Sequence, residues 1–235
     1  MKARHSQMVL NLGPRLDARL SDFAGPSWAA IIAAIQDLLT GKWQRCFVYG
    51  QPDTGKTHLL AAACEHYTEQ GHTTLLLSLR ELIRTNNPHC LESLEHYDLI
   101  ALDDIEMIQG HPDWQEALFH LLNRALEHNT KILLAARAMP TQLGLSLPDL
   151  VSRLQQAACF GIPSGEEDAD REALLLAALG RRNLNLDPEI IRYLLIKGPR
   201  YTGLLLKHLS FLEESSLQQR KKLSLNFVKQ LTESS

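Results

Sequence analysis

The stretch that most constrains this 235-residue chain is Gly50-Gln51-Pro52-Asp53-Thr54-Gly55-Lys56-Thr57. It fits the spacing G-x-x-x-x-G-K-[ST], the signature of a phosphate-binding loop. The flanks fit as well. Cys46-Phe47-Val48-Tyr49 is a short aromatic and β-branched run and reads as a buried strand, while His58 to Cys64 reads as a helix. Gly50 and Gly55 permit backbone angles that side chains resist, so the N–H groups between strand and helix can turn inward around an anion. The positive end of the helix dipole faces the same point. Lys56 adds a full charge near the outer phosphates, and the Thr57 hydroxyl can ligate Mg²⁺. The residues predicted to surround the phosphates are Gly50, Pro52, Asp53, Thr54, Gly55, Lys56, Thr57 and His58. A chance match in a Gly-containing turn is the competing reading, and the strand before and helix after argue against it.

A second motif supports the first. Leu99-Ile100-Ala101-Leu102 runs into Asp103-Asp104. Four apolar residues ending in paired acids describe a buried parallel strand with carboxylates at its carboxyl end, where ligands sit in open α/β sheets. This is the Walker B arrangement. Asp103 is predicted to hold Mg²⁺, directly or through water, and Asp104 to orient or activate an attacking water. Alone, the pattern would read better as a strand ending in an Asp-capped turn. Downstream of a phosphate loop it does not.

Composition excludes several classes. The net charge of -3 gives no global basic field for nucleic acid, although a local patch stays open. No apolar run approaches a membrane span, and the N-terminus lacks a secretion signal. Cys46, Cys64, Cys90 and Cys159 show no C-x-x-C spacing and read as buried, reduced thiols of a cytosolic protein. Hydrophobic residues make up 45% of the chain, enough for a substantial core.

The organisation divides in three. Residues 1–22 form a leader broken by Gly13-Pro14, with one apolar patch at Gln7-Met8-Val9-Leu10-Asn11-Leu12. On its residues alone that patch is an edge strand or a disordered tail. From 23 to 163, strands alternate with helices. Ser27 is the predicted N-cap of a helix over Trp28–Leu39. Strands are predicted at Thr73–Ser78 and Lys131–Ala136, and an amphipathic helix at Asp113–Leu126. A short helix carries Arg153, which on residue chemistry alone is a surface residue. From 164 to 235 only helices are predicted, opened by Glu166, Glu167, Asp168 and Asp170 and by Asp187-Pro188. The fold class is therefore α/β, a parallel sheet between helices, followed by a small all-helical lid domain.

The phosphate loop, the paired aspartates, Leu147-Pro148-Asp149-Leu150-Val151-Ser152-Arg153-Leu154 and the lid together resemble an AAA+ P-loop ATPase. More narrowly, the chain is similar to the Hda-like regulators of the DnaA family. That resemblance covers nearly the whole chain, from Gln7–Leu12 to Gln219–Lys229. It implies that Gln7, Met8, Leu10 and Leu12 dock on the DNA polymerase III sliding clamp (β subunit), although Asn11 stands where the family pattern has proline. It implies that Arg153 is an arginine finger acting in trans, and that Phe23 lies against an adenine, a placement that core packing rivals. It further implies bound ADP (or ATP) with Mg²⁺. ATP-bound DnaA is the implied partner, DNA is reached only through the clamp, and a homodimer is allowed. The location would be cytoplasmic, at the nucleoid through the clamp. The sensor-1 position falls near Ala136-Arg137, and Gly203 stands where the lid's sensor-2 arginine is expected. Weak or absent intrinsic ATPase follows, and whether the chain is itself an enzyme stays open. No DNA-reading domain follows the lid, so origin recognition in the manner of DnaA is not expected. The implied function is to stimulate ATP hydrolysis on DnaA and so repress re-initiation of replication. Two alternatives remain: an AAA+ loader of a helicase or transposase, and an adaptor without nucleotide chemistry.

Overall fold

The computed structural model describes residues 19–164 and 167–233. Gln7, Met8, Leu10 and Leu12 therefore lie outside the described residues. In chain order the elements are α1 (Ala29–Leu39), β1 (Arg45–Tyr49), α2 (Lys56–Glu69), β2 (Thr74–Ser78), α3 (Leu79–Leu82), β3 (Leu99–Asp103), α4 (Pro112–Glu127), β4 (Lys131–Ala136), α5 (Pro148–Gln155), β5 (Ala158–Gly161), α6 (Asp168–Arg181), α7 (Pro188–Lys197), α8 (Thr202–Gln219) and α9 (Leu225–Glu233).

The strands form one parallel sheet in the order β2-β3-β4-β1-β5. Parallel neighbours need crossovers, and the helices between strands supply them. Strand periodicity divides the core. Cys46, Val48, Leu99, Ala101, Leu133 and Ala135 face one layer, with α1 and α2. Phe47, Ile100, Leu102, Ile132 and Leu134 face the other, with α4 and α5. Burial on both faces explains why these strands read as continuous apolar runs rather than alternating ones. Each fully enclosed Leu or Ile contributes about 1.5–3 kcal/mol.

The α1–α2 layer does not end at the sheet. It continues without a gap into the lid through Leu174, Leu175, Ala178, Ile190, Leu194, Leu205, Leu209 and Val228. A polar strap, residues 19–28, ties the two parts. Asp22 is fully buried and accepts from Arg181 of α6 with both oxygens, each at 3.1 Å. Ser27 N–H donates to Asp170 Oδ1 at 3.0 Å. Gly25 lies beside that carboxylate so closely that a Cβ would sit 2.3 Å from Asp170 Oδ1.

The strap corrects one expectation. Ser27 does not cap α1; Pro26–Trp28 form a 3-10 turn, and Trp28 is the N-cap residue. The Ser27 N–H is satisfied from the lid, by Asp170. The predicted β2 and β4 agree with the structure to within one residue, and β5 was not anticipated. Its four residues are half-buried or exposed at the sheet edge, too short and too mixed to show a period. Of the thiols, Cys46 and Cys64 are buried, whereas Cys90 and Cys159 are only half-buried. No helix of the described residues is long and apolar enough to cross a membrane.

Candidate functional site

The phosphate loop begins where β1 ends. Gly50 N–H donates to Ala136 O, which fixes the loop to the end of β4. Gly55 has φ +101°, a left-handed angle that favours glycine, and α2 starts at Lys56 directly after it. Thr54 is 1% exposed and its hydroxyl donates to Gln51 O, closing the turn from inside. Lys56 Nζ bridges Gly50 O and Gln51 O, each at 2.7 Å. Its ammonium therefore sits over the loop rather than out in solvent. Burial lowers its pKa, and Asp103, Glu106, Asp104 and Asp53 oppose that shift.

The acids follow from β3. Thr57 Oγ1 donates to Asp103 Oδ2 at 2.5 Å. Asp103 is 3% exposed, and burial, with repulsion from Asp104, raises its pKa to about 6. A hydroxyl and a carboxylate held together beside a phosphate loop are the hard oxygen donors that Mg²⁺ takes alongside substrate phosphates. The residues present fit that ion. Asp104 turns the other way. It has φ +60°, its Oδ2 accepts from Ser78 Oγ at 2.9 Å, and its Oδ1 accepts from Arg80 at 2.9 Å. Both oxygens are thus engaged toward β2 and α3. A water-activating role would require Asp104 to exchange these partners.

Three further expectations need correction or refinement. Phe23 is 2% exposed and packs on Trp28, ring centroids 4.7 Å apart, so core packing is what the structure shows. His58 is 5% exposed; burial, with Lys207 and Arg182, lowers its pKa to about 4. Its side chain belongs to the packed interior, leaving its backbone N–H as its only plausible contribution to an anion. At the sensor-1 position Ala136 is buried, while Arg137 N–H donates to Glu106 and its guanidinium to Gln109.

Gly203 is more than a missing arginine. Its N–H donates to Asp53 O at 3.0 Å. A Cβ there would lie 2.7 Å from Asp53 O and 3.0 Å from Gly55 N. Thr202, 3% exposed, packs on Gly55 beside it, and Lys207 reaches Asp53 at 3.5 Å. The first turn of α8 therefore rests on the phosphate loop backbone to backbone. Gly203→Arg is therefore not expected to restore a sensor, because the obstacle is main chain. Even Gly203→Ala is expected to destabilise the protein by about 1–3 kcal/mol, the usual range for overpacking. Thermal unfolding of the two proteins measures it; an unchanged Tm would show that α8 does not press on the loop.

Arg153 lies elsewhere. α5 is held by a residue that sequence reasoning passed over. Gln115 of α4 is fully buried; its Nε2 donates to Ile108 O, and its Oε1 accepts from Ser146 N–H, Ser146 Oγ and Leu147 N–H. A glutamine on the apolar face of a strongly patterned helix was the available signal. The brace fixes the loop that leads into α5. At the far end of α5, Arg153 donates to Gln156 Oε1, and so does Arg45, the first residue of β1. Gln156 thus ties Arg153 to the end of β1 opposite Gly50, and Arg45 itself lies roughly 16 Å from Gly50 along the strand.

Over residues 25–160 the chain matches the family model of the bacterial DnaA ATPase domain, and over 167–232 that of the Hda lid domain. Among solved structures it is similar to AMPPCP-bound DnaA from Aquifex aeolicus, with TM-score 0.70 and 25% identity over 86% of this chain and 66% of that one. Domain III of the replication initiation protein DnaA from Thermotoga maritima gives TM-score 0.75 at 19% identity, covering 92% of this chain and 95% of that one. A putative primosome component from Streptococcus pyogenes gives 0.53 at 20%, covering 62% and 86%. The chain spans just under two thirds of the Aquifex protein's length. A phosphate loop, a Walker B strand and a helical lid packed on one parallel sheet, matched by the ATPase-domain model over more than half of its length, show that the chain belongs to the DnaA family of AAA+ proteins, with a lid of the Hda type.

Proposed function

We propose that this protein is a nucleotide-bound regulator that, with the DNA sliding clamp, stimulates ATP hydrolysis on DnaA and so represses re-initiation of chromosomal replication. The observation that carries this reading is an Hda lid model directly behind a DnaA ATPase core. The phosphate loop holds ADP or ATP through the N–H groups of Gly50 to His58 and through Lys56, with ADP as the form in the active regulator. Mg²⁺, held by Thr57 and Asp103, would neutralise charge on the phosphates. The remoteness of Arg153 from its own loop favours action on a neighbouring molecule. A guanidinium stabilises the charge spread over a phosphoryl group in flight. The protein works in the cytoplasm, reaching the nucleoid through the clamp.

The loader alternative has a likeness behind it, since the primosome component shares the core. That likeness covers 62% of the chain, whereas the two DnaA structures cover 86% and 92%. The DnaA-type reading accounts for more of the molecule.

Docking on the clamp is assigned to Gln7, Met8, Leu10 and Leu12. Gln7 can both donate and accept in a polar subsite, and Leu10 and Leu12 fill an apolar one, worth about 1.5–3 kcal/mol each if enclosed. A peptide that orders on binding gives micromolar affinity or so, and two protomers on one ring gain avidity. Clamp pull-down by the wild type is expected, with loss of capture in Gln7→Ala and Leu10→Ala. Folded variants that still bind the clamp as tightly would remove the leader from the contact.

A further inference from the structure

Arg45 and Arg153 share one neutral acceptor. Gln156 Oε1 receives Arg153 Nη1 at 3.2 Å and Arg45 Nη2 at 3.4 Å. Among the described residues neither guanidinium has a carboxylate in ion-pair reach, although Asp149 lies one turn before Arg153 on α5. Two like charges are thus held side by side on one neutral oxygen. They are not equivalent. Arg45 is set into the start of β1, and its Nη1 is enclosed without a hydrogen-bond partner. Its pKa is lowered by burial and by the charge of Arg153. Arg153 is half-buried on α5, but none of its guanidinium nitrogens is enclosed without a partner. Of the two, Arg153 is the less constrained.

We propose that Arg45 and Gln156 are positioning residues for Arg153: Gln156 tethers its guanidinium by one N–H, and the fixed charge of Arg45 turns the rest of it outward, toward the phosphates of a nucleotide on a neighbouring molecule. This rests on the trans-acting role given to Arg153 above and names what prepares it. An arginine on a surface helix ordinarily pairs with a nearby acid and must leave that pair before it can act. Here the tether is neutral, so the hydrogen bond given up is weak. Repulsion between the two guanidiniums is relieved when a phosphate oxygen comes between them. The arrangement therefore favours an anionic, phosphate-bearing partner over an acidic side chain of the chain itself.

The test is the plateau rate of hydrolysis of ATP bound to DnaA, with DNA-loaded clamp, at saturating regulator. Four variants are compared with wild type: Arg153→Ala, Arg45→Gln, Arg45→Lys and Gln156→Glu. Gln156→Glu is the most telling, because Gln156 is exposed and its replacement is expected to leave the fold intact. It puts a carboxylate between the two guanidiniums and captures Arg153 in an ion pair. The plateau should fall about two- to fivefold, the worth of an exposed ion pair that must be broken first. Arg45→Gln should lower it about tenfold, and Arg45→Lys, which keeps the charge, should stay within about twofold of wild type. The regulator concentration giving half-maximal stimulation should not move in any of them, which separates positioning from a general loss of structure or docking. Should Arg153→Ala abolish stimulation while Gln156→Glu and Arg45→Gln keep the wild-type plateau, the positioning proposal is overturned and the trans role stands. Should Arg153→Ala itself keep full stimulation, the trans role falls and this proposal falls with it.

Discussion

Replacing Arg153 with alanine is expected to leave nucleotide and clamp binding intact and to abolish stimulated hydrolysis on DnaA. The size of the effect is about 10³–10⁵ in rate, what an arginine finger supplies when it enters a phosphoryl-transfer site from a neighbour. Two structural facts set this apart from an ordinary surface change. Among the described residues the Arg153 side chain makes one hydrogen bond, to the exposed Gln156, so its removal leaves no buried partner unsatisfied. Its helix is held independently by Gln115, so α5 keeps its place. Arg153→Lys should rescue poorly, because an ammonium lacks the planar fork that meets two phosphate oxygens. Single-turnover hydrolysis of labelled ATP on DnaA measures both variants. Normal stimulation by Arg153→Ala would refute the assignment.

Lys56→Ala should weaken ADP binding about ten- to a hundredfold, the loss of a charge-assisted contact of roughly 1.5–3 kcal/mol. The geometry explains why this charge is already committed to the loop. Lys56 Nζ bonds the carbonyls of Gly50 and Gln51, at the mouth of the cradle, so it needs little movement to meet a phosphate. The fold should survive, since Lys56 lies at the first turn of α2 and not in either core layer. Calorimetry with ADP on wild type and variant measures the change, and an unchanged affinity would remove the phosphate-loop assignment.

The parts of this molecule that were legible in its sequence are those governed by local rules. A strand buried on both faces leaves an apolar run, and a phosphate loop needs its glycines and lysine in order, so β1, β3, β4 and the Gly50–Thr57 loop could be placed from spacing alone. The first two lid helices, α6 and α7, were legible from their acidic and proline starts. What stayed hidden depends on contacts between distant parts of the chain. The N–H of Ser27 is satisfied by Asp170, which no local cap rule anticipates. Gly203 reads as the loss of a side chain, and only its approach to Asp53 and Gly55 shows that the absence of a Cβ is what lets α8 touch the loop. Asp104 reads as a catalytic acid in a Walker B strand, but its left-handed backbone turns it to Ser78 and Arg80. Phe23 was ambiguous between a ring against a base and a ring in the core, and the deciding neighbour, Trp28, lies on the following 3-10 turn.

In the proposed function, hydrolysis occurs on DnaA and not on this chain. The most direct measurement loads differently labelled ATP on the two proteins, mixes them with and without DNA-loaded clamp, and follows each label to ADP in a single turnover. Rapid, clamp-dependent conversion of the label on DnaA is expected, with slow conversion of any label on the regulator. Fast conversion of the regulator's own ATP, with the DnaA-bound label unchanged whether or not the clamp is present, would contradict the proposed function.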